Sequence, residues 1–323
     1  METRLTNPLV SVVFSFRDER ENIPTLIRRL DAMFGAQPVE YELLFVNDAS
    51  TDGSLDVLLG ERDRNPRVKI VNMSRRFGVA ECMRAGMAAA SGDAVVYMDA
   101  DLQDPPEVIP QLIERWQAGA DVVHTVRTRR HGESAVKMRL TRFAYRLIQS
   151  GSSIDLPVDA GDFKLLSRAA VNQLLSFRES DPYIRGLVVW LGFNQAFVPY
   201  ERDARHAGRT HFPFFSRNPW KTFAMGLTSF SFLPIYLYVA LAVAGVALAM
   251  LLGIWAIASA SPLIGAMALL AFFWATTVGA IAAVGIYVVR VYKDVRGRPQ
   301  YIVASTVGLP SPESVAEMEK SVR

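Results

Sequence analysis

Through its first 126 residues the chain alternates two hydrophobic patterns. Short, nearly continuous apolar runs rich in β-branched residues, at 9–16, 42–46, 68–73, 94–98 and 121–126, have the length and composition of buried strands. Between them apolar residues recur at helical spacing. Ile23, Leu26, Ile27 and Leu30 mark a helix over 22–34, and further helices are predicted over 52–59, 79–90 and 106–117. The helix at 52 opens after a Ser-Thr-Asp-Gly turn, the one at 79 is closed by Ser91-Gly92, and the one at 106 begins with proline. Such alternation predicts an α/β fold with a mostly parallel sheet, and ligands in such sheets bind beyond the carboxyl ends of the strands.

Beyond 126 the pattern is less regular. The stretch 134–150 is basic and amphipathic: Val136, Leu140, Phe143, Ala144 and Leu147 share one side, with Lys137, Arg139, Arg142 and Arg146 among them. It reads equally as an ordinary solvated helix or as one lying on a membrane surface or lining an acceptor. Trp220, Phe223 and Phe230 make 218–232 an interfacial lead-in to a long apolar run that starts at 233. No charge occurs from 233 to 258 or from 262 to 289. Each run is long enough to cross a hydrocarbon core of roughly 30 Å at about 1.5 Å per residue. The link 259–261 is short and uncharged, and Arg290, Lys293, Arg296 and Arg298 come after the second run. The first ten residues lack a basic stretch followed by an apolar one, so no signal peptide is expected. The positive-inside bias then predicts a hairpin with both flanks in the cytoplasm. The expected division is a catalytic domain at 1–215, an interfacial helix at 216–232, two spans within 233–290 (about 233–258 and 263–289) and a cytoplasmic tail at 291–323.

Composition sharpens this picture at a few points. In 323 residues, half are hydrophobic, and the excess is local to the two runs. A net charge of +3 is too mild to argue for nucleic acid as a partner. The single cysteine, Cys82, excludes an intrachain disulfide and a thiolate metal cage, and its neighbours Ala80 and Met83 mark it as a small buried residue. His124, His131, His206 and His211 show no metal-ligand spacing.

Polar clusters fall where an α/β sheet puts its site. The first strand ends at Phe16-Arg17-Asp18-Glu19, the second runs into Asn47-Asp48, and the fourth into Asp99-Ala100-Asp101-Leu102-Gln103-Asp104-Pro105-Pro106. Asp99 and Asp101, just past an apolar strand, are placed to grip a hard divalent cation, Mg²⁺ or Mn²⁺, which neutralises a departing diphosphate. Asp48 is placed to accept hydrogen bonds from a base or ribose. There is no G-x-G-x-x-G or P-loop to cradle phosphates.

Residues 46–53, 98–106 and 159–168 together resemble the family 2 glycosyltransferases that act on polyprenyl phosphates, and the likeness extends to the paired spans and to Arg298-Pro299-Gln300-Tyr301. The resemblance implies a Rossmann-like A-type glycosyltransferase domain that inverts the anomeric carbon. It implies that Phe16, Arg17, Glu19, Asp48 and Gln103 hold the donor, that Asp99, Asp101, Asp159 and Asp162 are catalytic, and that Asp101 and Gln103 hold the metal. Arg127, Arg130, Lys164, Arg202 and Arg205 would hold the acceptor phosphate. Arg17, Arg76, Lys164 and His211-Phe212 depart from the residues common in the family. The partners implied are a nucleotide sugar (UDP-glucose first; GDP-mannose, UDP-galactose and UDP-aminosugars next), an undecaprenyl-type lipid phosphate, a bacterial inner membrane and further copies of the chain. A processive synthase would need a Gln-x-x-Arg-Trp string and more spans. A nucleotidyltransferase would need a glycine-rich entry loop, and the intact acidic clusters argue against a non-catalytic membrane partner module.

Overall fold

The computed structural model describes residues 7–129, 160–202, 233–258 and 262–309. The predicted stretches 134–150 and 218–232 and the end of the tail lie outside these residues, as do Arg130, Asp159 and Arg205.

One eight-stranded sheet organises the domain: β1 (Leu9–Phe16), β2 (Glu40–Asn47), β3 (Val68–Met73), β4 (Ala94–Asp99), β5 (Val122–Arg129), β6 (Ala160–Ser167), β7 (Gln195–Glu201) and β8 (Val303–Val307). Their spatial order is β7-β5-β6-β4-β1-β2-β3-β8. β1 pairs in parallel with β2 and β4, β2 with β3, and β5 with β7. β6 runs antiparallel between β4 and β5, and β8 antiparallel along β3. The mostly parallel sheet expected from the alternating pattern is therefore present.

Helices cover both faces. On one, α1 (Ile23–Phe34), α2 (Ser54–Arg64) and α4 (Ile109–Gln117) pack on Val10, Val12, Phe14, Phe45, Val96 and their neighbours. On the other, α3 (Val79–Ala89), α5 (Arg168–Ser176) and α6 (Ile184–Trp190) pack on Val13, Leu44, Val46, Val95 and Leu166. Burial on both faces is why β1 and β4 read as continuous apolar runs rather than alternating ones. α3 lies especially close to the sheet, because a Cβ on Gly86 would fall 2.2 Å from Val13 Cγ1. Cys82 is buried in α3, as its neighbours predicted.

α7 (Leu233–Ala258) and α8 (Pro262–Arg296) are both long and apolar enough to cross a membrane. Their side chains are largely exposed, among them Leu237, Val243, Leu251, Leu263, Leu270 and Trp274, as suits a surface that meets lipid. They approach through small residues: a Cβ on Gly245 would fall 2.3 Å from the Phe272 ring, and one on Gly279 2.8 Å from the Tyr238 ring.

After the second apolar helix the described chain rejoins the sheet. β8 returns to pair with β3, and Asn72 Nδ2 donates to Ser305 Oγ at 3.0 Å. The division at 215 therefore misses a strand of the sheet. Val303 and Val307 supply a short β-branched edge to a parallel strand that otherwise ends the sheet unpaired.

Candidate active site

The carboxyl ends of β1, β2, β4 and β5 and the amino end of β6 gather the polar residues. At the β1 edge, Arg17 Nη1 donates to the carbonyls of Asp48 (2.7 Å) and Ala49 (2.8 Å), locking the β1 and β2 loops together. Asp18 Oδ1 accepts from Thr51 N at 2.7 Å, and Asp18 and Ala49 both hold the left-handed conformation (φ 56° and 55°). Glu19 is buried, with its Oε2 accepting from Asn22 Nδ2 at 2.5 Å. Asp48 Oδ1 accepts from the backbone N–H groups of Phe77 (2.6 Å) and Gly78 (3.3 Å), just before α3. One of its oxygens thus serves the entry to a helix, where a negative charge is favourable.

Asp99 ends β4. Its Oδ1 accepts from Ser15 Oγ at 3.3 Å, and Ser15 Oγ also lies 2.9 Å from the Tyr97 hydroxyl. Burial, together with the charges of Asp101, Asp162 and Asp104, pushes the Asp99 carboxyl up to about 7. After Ala100, Asp101 is buried and its Oδ1 accepts from Gln103 N at 3.2 Å. That turn requires Leu102 at φ 58°, a left-handed conformation held in place by burial of its side chain.

Asp104 is 2% exposed and joins a network that the sequence pattern did not assign. Its Oδ1 accepts from the Tyr200 hydroxyl (2.5 Å) and from Arg202 Nε (3.2 Å), while Arg127 Nε donates to the Tyr200 oxygen at 3.1 Å. Two expected phosphate-binding cations, Arg127 and Arg202, are therefore anchored by one buried carboxylate and one tyrosine. The Arg127 guanidinium also lies flat against Gly161, whose Cβ would fall 2.9 Å from Nη2.

Across from β4, Lys164 pairs in register with Tyr97. Two residues earlier, Asp162 accepts both arms of Arg185, from Nε at 2.8 Å and from Nη2 at 2.5 Å. Burial alone would raise the Asp162 carboxyl; the Arg185 guanidinium, joined by the charges of Lys164 and Arg127, outweighs it and holds the group well below the usual carboxylate range. Arg185 was absent from the sequence-based set. It is a lone cation in a short apolar helix, and its partner lies 23 positions away, so no local pattern marks it. Lys164 is 1% exposed and sits within the sheet rather than at its rim, beside His124, with which it also pairs.

The described site residues fall into two groups. Asp99, Asp101, Gln103, Asp104, Asp162, Arg127, Arg185 and Arg202 form a charged cluster around the end of β4. Phe16, Arg17, Glu19 and Asp48 form a second group on the loops of β1 and β2. Among the described residues no three His, Cys, Asp or Glu side chains converge as a metal cage. Mg²⁺ and Mn²⁺ take hard oxygen ligands, and Mg²⁺ is commonly held by one or two carboxylates completed by water and substrate phosphates. Asp99, Asp101 and the Gln103 amide oxygen fit that requirement. The negative charge crowded around Asp99 is what a divalent cation would relieve.

The sequence model described as Glycosyl transferase family 2 matches residues 11–175. A Bacillus subtilis protein described as an uncharacterized glycosyltransferase is 36% identical over 93% of this chain and 94% of its own length. The bactoprenol glucosyl transferase of Shigella phage SfII is 34% identical over 91% of this chain and 97% of its own. The Escherichia coli prophage bactoprenol glucosyl transferase homolog is 33% identical over 91% and 98%. Among solved structures, a Mycobacterium tuberculosis glucosyl-3-phosphoglycerate synthase in complex with Mn²⁺ and UDP aligns at 20% identity with a TM-score of 0.46, over 62% of this chain and 73% of that one.

Proposed function

The chain belongs to glycosyl transferase family 2, and from that premise we propose that it transfers a sugar, glucose from UDP-glucose in the first instance, to an undecaprenyl-type lipid phosphate with inversion. One observation carries the lipid acceptor. The charged end of α8 is bonded to the segment that leads directly into Arg185, so the carboxylate cluster lies close to where an apolar helix emerges. Relatives that bear the name bactoprenol glucosyl transferase over nearly their whole length support the same reading.

The chemistry asks for little proton transfer. A phosphate monoester has a second pKa of about 6, so at neutral pH the acceptor is already a dianionic nucleophile. What the protein must supply is alignment and compensation of charge between two anions. Arg127 and Arg202, fixed by Tyr200 and Asp104, would hold the acceptor phosphate, with Arg130 and Arg205 as further candidates. Asp48, Glu19 and Arg17 shape the loops where the nucleoside would rest. Asp101 and Gln103 would hold Mg²⁺ or Mn²⁺ beside Asp99. When bound, the cation would neutralise the leaving diphosphate. Asp162 and Asp159 would border the sugar. The helix pair would set the protein in a bacterial inner membrane with the catalytic domain in the cytoplasm, as a single copy or as an oligomer.

The test incubates purified protein in detergent with undecaprenyl phosphate, Mg²⁺ or Mn²⁺ and a panel of sugar nucleotides, and reads the lipid fraction by mass spectrometry. A hexosyl increment with UDP-glucose that disappears with chelator, and falls at least about a hundredfold in Asp101→Ala, is expected. No lipid product from any donor by folded, nucleotide-binding protein would overturn the proposal, and wild-type turnover in Asp101→Ala would remove the metal role.

A further inference from the structure

Seven residues, 177–183, join α5 to α6, and contacts run from this segment in three directions. Inward, the fully buried Arg84 on α3 donates to the carbonyls of Leu174 (3.1 Å), Leu175 (2.9 Å) and Phe177 (3.3 Å). Arg84 thereby binds the carboxyl end of α5, where a cation is favoured, and pins the start of the segment to the helix above the sheet. Outward, the segment meets the charged end of α8. Lys293 Nζ lies 2.5 Å from Asp181 Oδ2, and Arg290 Nη2 donates to the Asp181 carbonyl at 3.2 Å and reaches Glu179 Oε2 at 3.5 Å. Ser180 N donates to Asp294 Oδ1 at 2.7 Å, and Gln300 Nε2 donates to the Glu179 carbonyl. Forward, the buried Tyr183 opens α6, accepting from Gly186 N and Leu187 N at 3.0 Å each. Arg185, two residues on, holds both oxygens of Asp162.

The arrangement is economical of chain. Asp181, gripped by α8, and Arg185, which grips Asp162, are four positions apart. Four residues span at most about 14 Å. Asp162 acts electrostatically on Asp99, at the centre of the carboxylate cluster. A lateral or vertical displacement of the α8 end is therefore transmitted to a site carboxylate through one short segment, and transfer between two bound anions is sensitive to displacements of about 1 Å.

We propose that residues 177–183 form a strut that sets the position of Asp162 from the membrane end of α8, with Arg185 the positioning residue at its inner end and Lys293 and Arg290 the positioning residues at its outer end. The catalytic consequence rests on the transferase function proposed for the chain; the mechanical coupling does not. Because an undecaprenyl-type phosphate would be presented at the headgroup level, a strut anchored where the helix leaves the membrane fixes the reacting centre at that height.

The experiment compares Lys293→Asp, Asp181→Lys and the double variant that restores an ion pair with its charges exchanged, all as full-length protein. Hydrogen exchange over residues 160–166 is the first readout, and needs no activity. Each single variant is expected to speed exchange there while leaving the β1 and β2 peptides unchanged, and the double variant to restore protection. Steady-state transfer is the second readout: kcat about tenfold lower in the single variants, with the donor KM within about twofold, and recovery in the double. Lys293→Gln, a milder variant that keeps the fold if charge reversal does not, should shift both readouts in the same direction. Unchanged exchange at 160–166 in the single variants, or failure of the charge-exchanged pair to recover it, would overturn the strut. Absence of lipid product from the wild type would instead overturn the transferase function, with the exchange result still deciding the coupling.

Discussion

Lys164 sits in the middle of the sheet, with Tyr97 beside it on β4 and His124 beside it on β5. Burial removes its ammonium from water, and although Asp162 favours the charge, its pKa falls from 10.5 to about 8. His124, buried next to that cation, is pushed down to about 4 and stays neutral at physiological pH. The sign for stability comes from counting protons. Between about 8 and 10.5 the unfolded chain keeps the lysine proton while the folded one has released it, so stability rises with pH. Cys82 acts in the opposite sense above its ordinary 9.0, because burial pushes its thiol up. Stability in detergent is therefore expected to climb between pH 8 and 9, at up to about 1.4 kcal/mol per pH unit, and then level off or decline. Lys164→Met should abolish the climb in a thermal unfolding series, and an unchanged slope in that variant would refute the assignment. At this scale the sequence marked the position of Asp99, Asp101 and Gln103 at the end of β4, because they come directly after an uninterrupted apolar run. It could not show that Asp104 pairs with Tyr200 or Asp162 with Arg185, since those partners lie 96 and 23 positions apart.

Elements with a continuous apolar run or one clear periodicity, the two long apolar helices included, lie close to where the sequence pattern puts them. The strands β1 to β4 and the helices α1, α3 and α4 appear close to their expected bounds. α2 was expected over 52–59 and runs from Ser54 to Arg64, because its second half (Glu61, Arg62, Asp63, Arg64) is polar and has no apolar spacing to mark it. β6 escaped notice because Asp162 and Lys164 interrupt what would otherwise be a buried apolar run. Packing at α3 gives a prediction whose sign the helix alone would get wrong. Gly→Ala in an exposed helix interior usually stabilises by about 0.5–1 kcal/mol. At Gly86 the added methyl would meet Val13 and Val46, the nearer contact being 2.2 Å, so Gly86→Ala is expected to destabilise by about 1–3 kcal/mol. Thermal unfolding would read this as a drop of several degrees; a rise would show that α3 can move off the sheet without cost.

For the whole molecule, the two apolar helices and the sheet domain have different rules of cohesion. The domain is held by burial on both faces of a sheet, whereas α7 and α8 meet through close contact at Gly245 and Gly279. Lipid tails compete equally well for apolar side chains, so in a membrane such close contacts carry the association. Gly245→Leu and Gly279→Leu should therefore lower the recovery of monodisperse protein from detergent on size exclusion. Hydrogen exchange in β1–β4 should stay as in the wild type. Loss of protection across the sheet in these variants would mean that the pair and the domain unfold as one unit.

The return of β8 to β3 also has a consequence for how the protein is made. Asn72 and Ser305, which bond across that edge, are 233 positions apart, and both apolar helices lie between them. The ribosome therefore delivers both apolar helices before it delivers the strand that finishes the sheet. Until then β3 offers a bare edge, open to pairing with whatever extended chain is near. Synthesis of the two apolar helices and completion of the catalytic domain are consecutive steps, and a nascent chain that stalls after the second helix still has its sheet open.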